Sequence, residues 1–254
     1  MSGYPLEQQL LLALQTGALV GLTVRLWWTG LYRNYPCFFS YLLLDLIQTV
    51  VLVPIPLYGL AYRNAWMVTE GLIVCAHVLV ILELCRVLLR GLPGITSVAR
   101  RYVKWTLALA IVSSLLLLGA ERVPATMTGY FLTCERAIVS SLVIVVLLMM
   151  LFLAYYPVPL NRNVITYSIG YAVYFLTKAG AIFLRNLGPM WQRELSTVLV
   201  GISTACLIFW LLTLSRRGEI KTIIAGHHWS SEEEERLLSH LKAINASLGR
   251  TRQT

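Results

Sequence analysis

Seven ionisable side chains interrupt long apolar stretches of this sequence: Asp45, Glu70, His77, Glu83, Glu135, Arg136 and Lys178, with Arg86 close behind. A charge in apolar surroundings is costly, so such a group pairs with an opposite charge, moves a proton or ion, or holds a polar ligand. Lys178 is the most informative of them. At 100° per residue, Tyr167, Tyr171, Tyr174, Lys178 and Arg185 fall on one helical stripe, too polar to face lipid. The stripe is expected to face a bundle interior, with Glu70 or Glu135 as the lysine's partner. The alternative is a lysine that snorkels to the membrane surface. Glu70 and His77 are seven residues apart and share a face of their helix. His77 is either a buried neutral imidazole with one hydrogen-bond partner or a proton-relay or ligand group.

These residues sort into two layers along the predicted helices. The outer layer, Glu70, His77, Glu135, Arg136, Tyr167, Tyr171, Tyr174 and Lys178, is the candidate binding site. The inner layer, Asp45, Gln48, Glu83 and Arg86, is a candidate charge network. Tyr41, Asp45 and Gln48 share one helical face, and Glu83 and Arg86 are three apart, a spacing that allows a pair. The inner layer reads either as an ion-pair lock between two helices or as an ion-coupling site.

The elements that must position these groups follow from composition. The chain has 254 residues, 57% hydrophobic and 13% charged, with a mean hydropathy of +0.71. Soluble domains carry about 25% charged residues. This composition excludes a water-soluble enzyme, a disordered tail and a disulfide scaffold, and leaves a polytopic membrane protein. A membrane-crossing helix needs roughly 20 mostly apolar residues. Seven stretches qualify: about Leu6–Leu26, Phe38–Leu60, Trp66–Leu89, Tyr102–Ala120, Tyr130–Tyr155, Val164–Leu184 and Leu195–Leu214. The expected fold is an all-α integral membrane protein, a seven-transmembrane-helix bundle. Leu6–Leu26 has neither a basic leader nor a small-residue cleavage site, so it reads as a span and not as a signal peptide. Pro54 and Pro56 either kink the second span, opening a crevice beside the outer layer, or end it. Pro157-Val158-Pro159 is expected to be a short, stiff linker.

Arginine and lysine in the short loops give the orientation. Arg25, Arg33, Arg86, Arg90, Arg100, Arg101, Lys104, Arg162, Arg216, Arg217 and Lys221 collect on one side, against Arg63, Arg122, Arg136, Arg185 and Arg193 on the other. The N-terminus is therefore expected outside and the C-terminus in the cytoplasm. The net charge of +9 is then mostly a topology signal, and no nucleic-acid partner is expected. The expected location is a cytoplasmic (inner) or plasma membrane. Short loops without outer glycosylation triplets favour a bacterial inner membrane.

The chain divides into residues 1–214, the transmembrane domain, and 215–254, a cytoplasmic tail. Ser230-Ser231-Glu232-Glu233-Glu234-Glu235 carries two overlapping capping-box patterns. Leu237, Leu241, Ile244 and Leu248 follow at coiled-coil spacing. An amphipathic helix over about 231–248 is marginal alone in water. It is expected to dock on a protein partner, on its own copy, on the bundle or on the membrane surface. The cysteines form no CxxC pair, and adjacent His227 and His228 make no metal site. No metal or cofactor is expected.

The sequence holds no nucleophile elbow, HExxH pair or phosphate loop. The span count resembles that of opsins and heptahelical receptors, but Leu195–Leu214 has no lysine to carry retinal. The seven-span zinc hydrolases carry several intramembrane histidines, whereas His77 stands alone. A non-enzymatic sensor or accessory subunit is the expected function, binding a small molecule or neighbour in its outer polar crevice and a partner through its tail. The alternatives are a small proton- or ion-coupled transporter using the intramembrane carboxylates, and an enzyme acting on lipid.

Overall fold

A computed structural model of the chain describes residues 6–55, 59–89, 127–155, 158–187, 192–220 and 222–225, with isolated positions within 101–112 and 235–243. The described residues are mostly helical. Helix α1 runs Leu6–Thr29, and a 3-10 turn, Leu31–Arg33, leads into α2, Pro36–Leu52. Helix α3 is Leu60–Leu88 and α4 is Met127–Tyr155. Strand β1, Val158–Asn161, precedes α5, Arg162–Leu187, and α6, Gln192–Thr213. The short helix α7, Arg216–Ile220, and strand β2, Thr222–Ala225, follow.

Local chemistry sets several of these limits. Helix α1 stops at Gly30, whose positive φ of 74° suits a residue without a side chain. Pro36 occupies the first turn of α2, where its missing N–H costs nothing. Tyr35 offers α2 no side-chain cap. The cap comes from α3 instead: Phe38 N donates to Glu83 Oε2 at 3.0 Å. Helix α2 ends at Leu52, eight residues short of the sequence expectation: Val53 keeps helical geometry and donates to Thr49 O at 3.1 Å, but Pro54 has no N–H to carry the ladder further. The proline therefore ends the helix and does not kink it.

The helices α1 to α6 close a ring in chain order, each packed on the next and α6 returning to α1. Helix α5 also touches α3 across the interior. Leu22, Phe38, Val80, Leu142, Tyr171 and Trp210 lie in the common core, each no more than 2% exposed. The outer faces are apolar too. Leu14, Val50, Leu72, Leu148 and Leu212 are all more than half exposed. An apolar exterior around an apolar core suits lipid and not water. Among the described residues, three helices are long and apolar enough to cross a membrane: Gln9–Thr29, Leu60–Leu88 and Met127–Leu153. Pro36–Leu52 and Thr197–Thr213 are shorter apolar helices. The chain is thus a mostly helical protein compatible with a membrane location. The expected fourth span, Tyr102–Ala120, and the tail seam of Leu237, Leu241, Ile244 and Leu248 lie outside the described residues.

The linker after α4 is not a plain turn. It forms β1, which pairs antiparallel with β2, Val158 opposite Ala225 and Asn161 opposite Thr222. The chain beyond α6 thereby returns to the bundle end. Arg216 Nε donates to Thr29 O at 2.8 Å, joining α7 to the end of α1.

Candidate functional site

Removing charge from water is affordable only against a good partner, and the interior of the ring provides one. Lys178 Nζ on α5 stands 3.1 Å from Glu70 Oε1 on α3 and 3.2 Å from Glu135 Oε1 on α4. Each of the three side chains is 13% exposed or less. Gln48 on α2 extends the cluster, its Nε2 donating to Glu70 Oε2 at 3.2 Å and to Thr69 Oγ1 at 3.1 Å. Four helices are joined through one ammonium and two carboxylates.

This cluster forms part of the wall of a cavity of about 360 Å³. Asp45, Tyr41, Arg136, Tyr174 and Trp66 add to the wall, as do Gln15 from α1 and Ser203 from α6. The cavity lies in the half of the ring away from α7. Gln15 Nε2 donates to Ser203 Oγ at 3.2 Å, linking α1 to α6 across it. Asp45 and Arg136 differ from the other charged groups on the wall: neither carboxylate nor guanidinium has a hydrogen bond or ion pair among the described residues. Two opposite charges thus line the same space without an ion-pair or hydrogen-bond partner among the described residues.

Of the expected outer-layer residues, Glu70, Glu135, Arg136, Tyr174 and Lys178 line this cavity. His77, Tyr167 and Tyr171 do not. His77 is fully buried, its ring 4.8 Å from Tyr41, 5.6 Å from Tyr174 and 5.1 Å from Phe175. Tyr167 and Tyr171 sit deeper, in a cluster of edge-on and tilted rings with Phe38 and Trp210. Ring centroids are 4.9 Å apart for Tyr167–Tyr171 and for Tyr171–Trp210. Both ring nitrogens of His77, the hydroxyls of Tyr167 and Tyr171, Trp210 Nε1 and Glu83 Oε1 are buried without a hydrogen-bond partner among the described residues. Buried polar groups are normally paired, so such a cluster marks the interior as unusual.

The expected inner network separates into two parts. Asp45 and Gln48 join the cavity wall. Glu83 caps α2, and its other oxygen has no hydrogen bond, so it does not pair with Arg86. Arg86 is exposed. The helical spacing that suggested that pair loses to Phe38 N, an unsatisfied helix-end donor from a neighbouring helix.

A second polar cluster escaped the sequence reading. Glu219 on α7 accepts from Tyr35 Oη at 2.6 Å, from Asn163 Nδ2 at 3.0 Å and from Asn161 Nδ2 at 3.3 Å. Asn163 Nδ2 also donates to Ser215 O at 2.7 Å, and Ser215 N donates back to Asn163 Oδ1 at 3.2 Å. Gly218 packs so closely on Asn163 that a methyl group there would collide with its amide. The cluster ties α2, β1, α5 and α7 at one end of the ring. The one available signal was an acidic residue among arginines just past the last apolar stretch. Among the described residues, no group of three histidine, cysteine or carboxylate side chains could hold a metal ion.

No family model, curated protein sequence or solved structure matches this chain.

Proposed function

We propose that the protein is a seven-helix membrane receptor-like or accessory subunit that binds a small polar ligand in the cavity between its helices. The observation that carries this reading is the wall itself: a lysine held by two carboxylates, beside a carboxylate and a guanidinium that have no partner among the described residues. A purely structural lock needs the first feature and not the second. Ligand sites are concave, with few polar groups on an otherwise apolar wall, and span about 300–1,000 Å³. Under the orientation the basic residues favour, the α7 end faces the cytoplasm and the cavity belongs to the outer half of the membrane. The amphipathic tail would then offer a partner-binding or self-associating helix on the inner side. The test is a thermal-shift screen of small polar metabolites on the full chain in lipid nanodiscs. A ligand at 100 times its Kd adds about 2.7 kcal/mol of stability. A library in which nothing shifts the melting curve, with nothing co-purifying, refutes the reading.

A second reading, a small proton- or ion-coupled carrier, is favoured by the unpartnered groups that lead away from the cavity. Trp210, on its wall, adjoins Tyr171, then Tyr167, and Glu83 lies beyond at the opposite half. Ordered water bound along that row would connect the two sides. Proteoliposomes measuring proton flux separate the readings. Flux abolished by Glu83→Gln at unchanged melting temperature supports the carrier, and its absence in the intact chain removes it.

A further inference from the structure

We infer that the ligand of this cavity is a small zwitterion, carrying an ammonium-type cation and a carboxylate or phosphate on one molecule. The inference rests on the ligand-binding reading above and follows from which wall groups are already engaged. Lys178 is held by Glu70 and Glu135, and the second oxygen of Glu70 accepts from Gln48. Gln15 donates to Ser203, Ser203 donates to Val200 O at 3.0 Å, and Thr133 donates to Gly129 O at 3.0 Å. Each of these groups has at least one partner inside the protein. Asp45 and Arg136 have none among the described residues.

A charge within an apolar bundle is costly unless it finds an opposite charge or a polar ligand. A simple cation would settle Asp45 and leave Arg136 bare, and a simple anion would do the reverse. A molecule with both charges answers both and leaves the net charge of the site unchanged. Arg136 offers the paired N–H donors that suit a carboxylate or phosphate. Tyr41 and Trp66 add aromatic surface to the wall, where a cation is attracted to a ring face. The same chemistry is available from a free solute and from a zwitterionic phospholipid headgroup.

The experiment places the full chain in nanodiscs of phosphatidylglycerol, which has no cationic group. Glycine, glycine betaine and phosphocholine are titrated in turn, against tetramethylammonium and acetate as single-charge controls. At least one zwitterion is expected to bind ten times more tightly than either control. Asp45→Asn and Arg136→Gln are each expected to weaken it at least tenfold. Preference for phosphocholine, with phosphatidylcholine retained from mixed nanodiscs, identifies a headgroup; preference for glycine or its betaine identifies a free solute. A control ion that binds as tightly as every zwitterion, or zwitterion affinity indifferent to both substitutions, overturns the inference and leaves ligand binding standing. If no probe binds a protein with an intact melting curve, the inference and the ligand-binding reading both fall.

Discussion

Replacing Lys178 with methionine keeps the side-chain stem and removes the one ammonium that Glu70 and Glu135 share. Two carboxylates then face each other inside the bundle, each 13% exposed or less and neither with a cation. Removing one partner of a buried ion pair typically costs 3–5 kcal/mol, because the remaining charge stays desolvated, so a loss of about 3–5 kcal/mol is expected. For a chain of this size each kcal/mol moves the melting temperature by about 2–4 °C, which predicts a drop of roughly 6–20 °C. The seven tryptophans give a fluorescence signal for the measurement in nanodiscs. A control isolates charge from packing. In Lys178→Met combined with Glu70→Gln and Glu135→Gln, none of the three positions carries a charge, and more than half of the lost stability is expected to return. A single variant melting within about 2 °C of the natural chain would refute the reasoning, since it falls below the smallest shift expected. So would a triple variant less stable than the single one, because packing and not charge would then dominate.

Gly170→Ala is expected to destabilise by about 1–3 kcal/mol, as added volume does in a packed core, because its methyl would strike the Trp210 indole; denaturant titration followed by tryptophan fluorescence reads this directly. Glu219→Ala removes the acceptor shared by Tyr35, Asn161 and Asn163, and hydrogen bonds to a charged group contribute about 1.5–3 kcal/mol each. Its expected signature is faster amide hydrogen exchange confined to α7 and β2. Glu83→Ala leaves Phe38 N uncapped, and loss of a cap costs about 0.5–2 kcal/mol; exchange is expected to rise in the first turn of α2 and not in α3.

The pairing around Lys178 was legible in the sequence because charge stands out against an apolar background. The cost of burying it demands a partner at similar depth, and few residues qualify. Helical periodicity also placed Tyr167, Tyr171 and Tyr174 on the lysine's stripe. Periodicity gives the face and not the company along it, however. One turn of helix separates Tyr174, on the cavity wall, from Tyr171, inside the aromatic cluster. Glu83 shows a different limit. A spacing of three suggested Arg86, but a local pair competes with every tertiary donor, and the buried N–H of Phe38, at the otherwise uncapped N-terminus of α2, prevailed. Gln15 and Ser203 gave no signal, since single neutral polar residues are common on apolar helices. Glu219 was hidden by the sharp change of composition after Leu214. The chain looks like a solvated tail there, yet Asn161 and Asn163 hold it against the bundle.

The most direct measurement is an experimental structure of the full chain extracted with its own membrane lipids, at a resolution that shows small molecules. Density in the cavity touching both the Asp45 carboxylate and the Arg136 guanidinium is the predicted result. A direct Asp45–Arg136 salt bridge across a collapsed cavity would contradict it and reduce the charged wall to a structural lock.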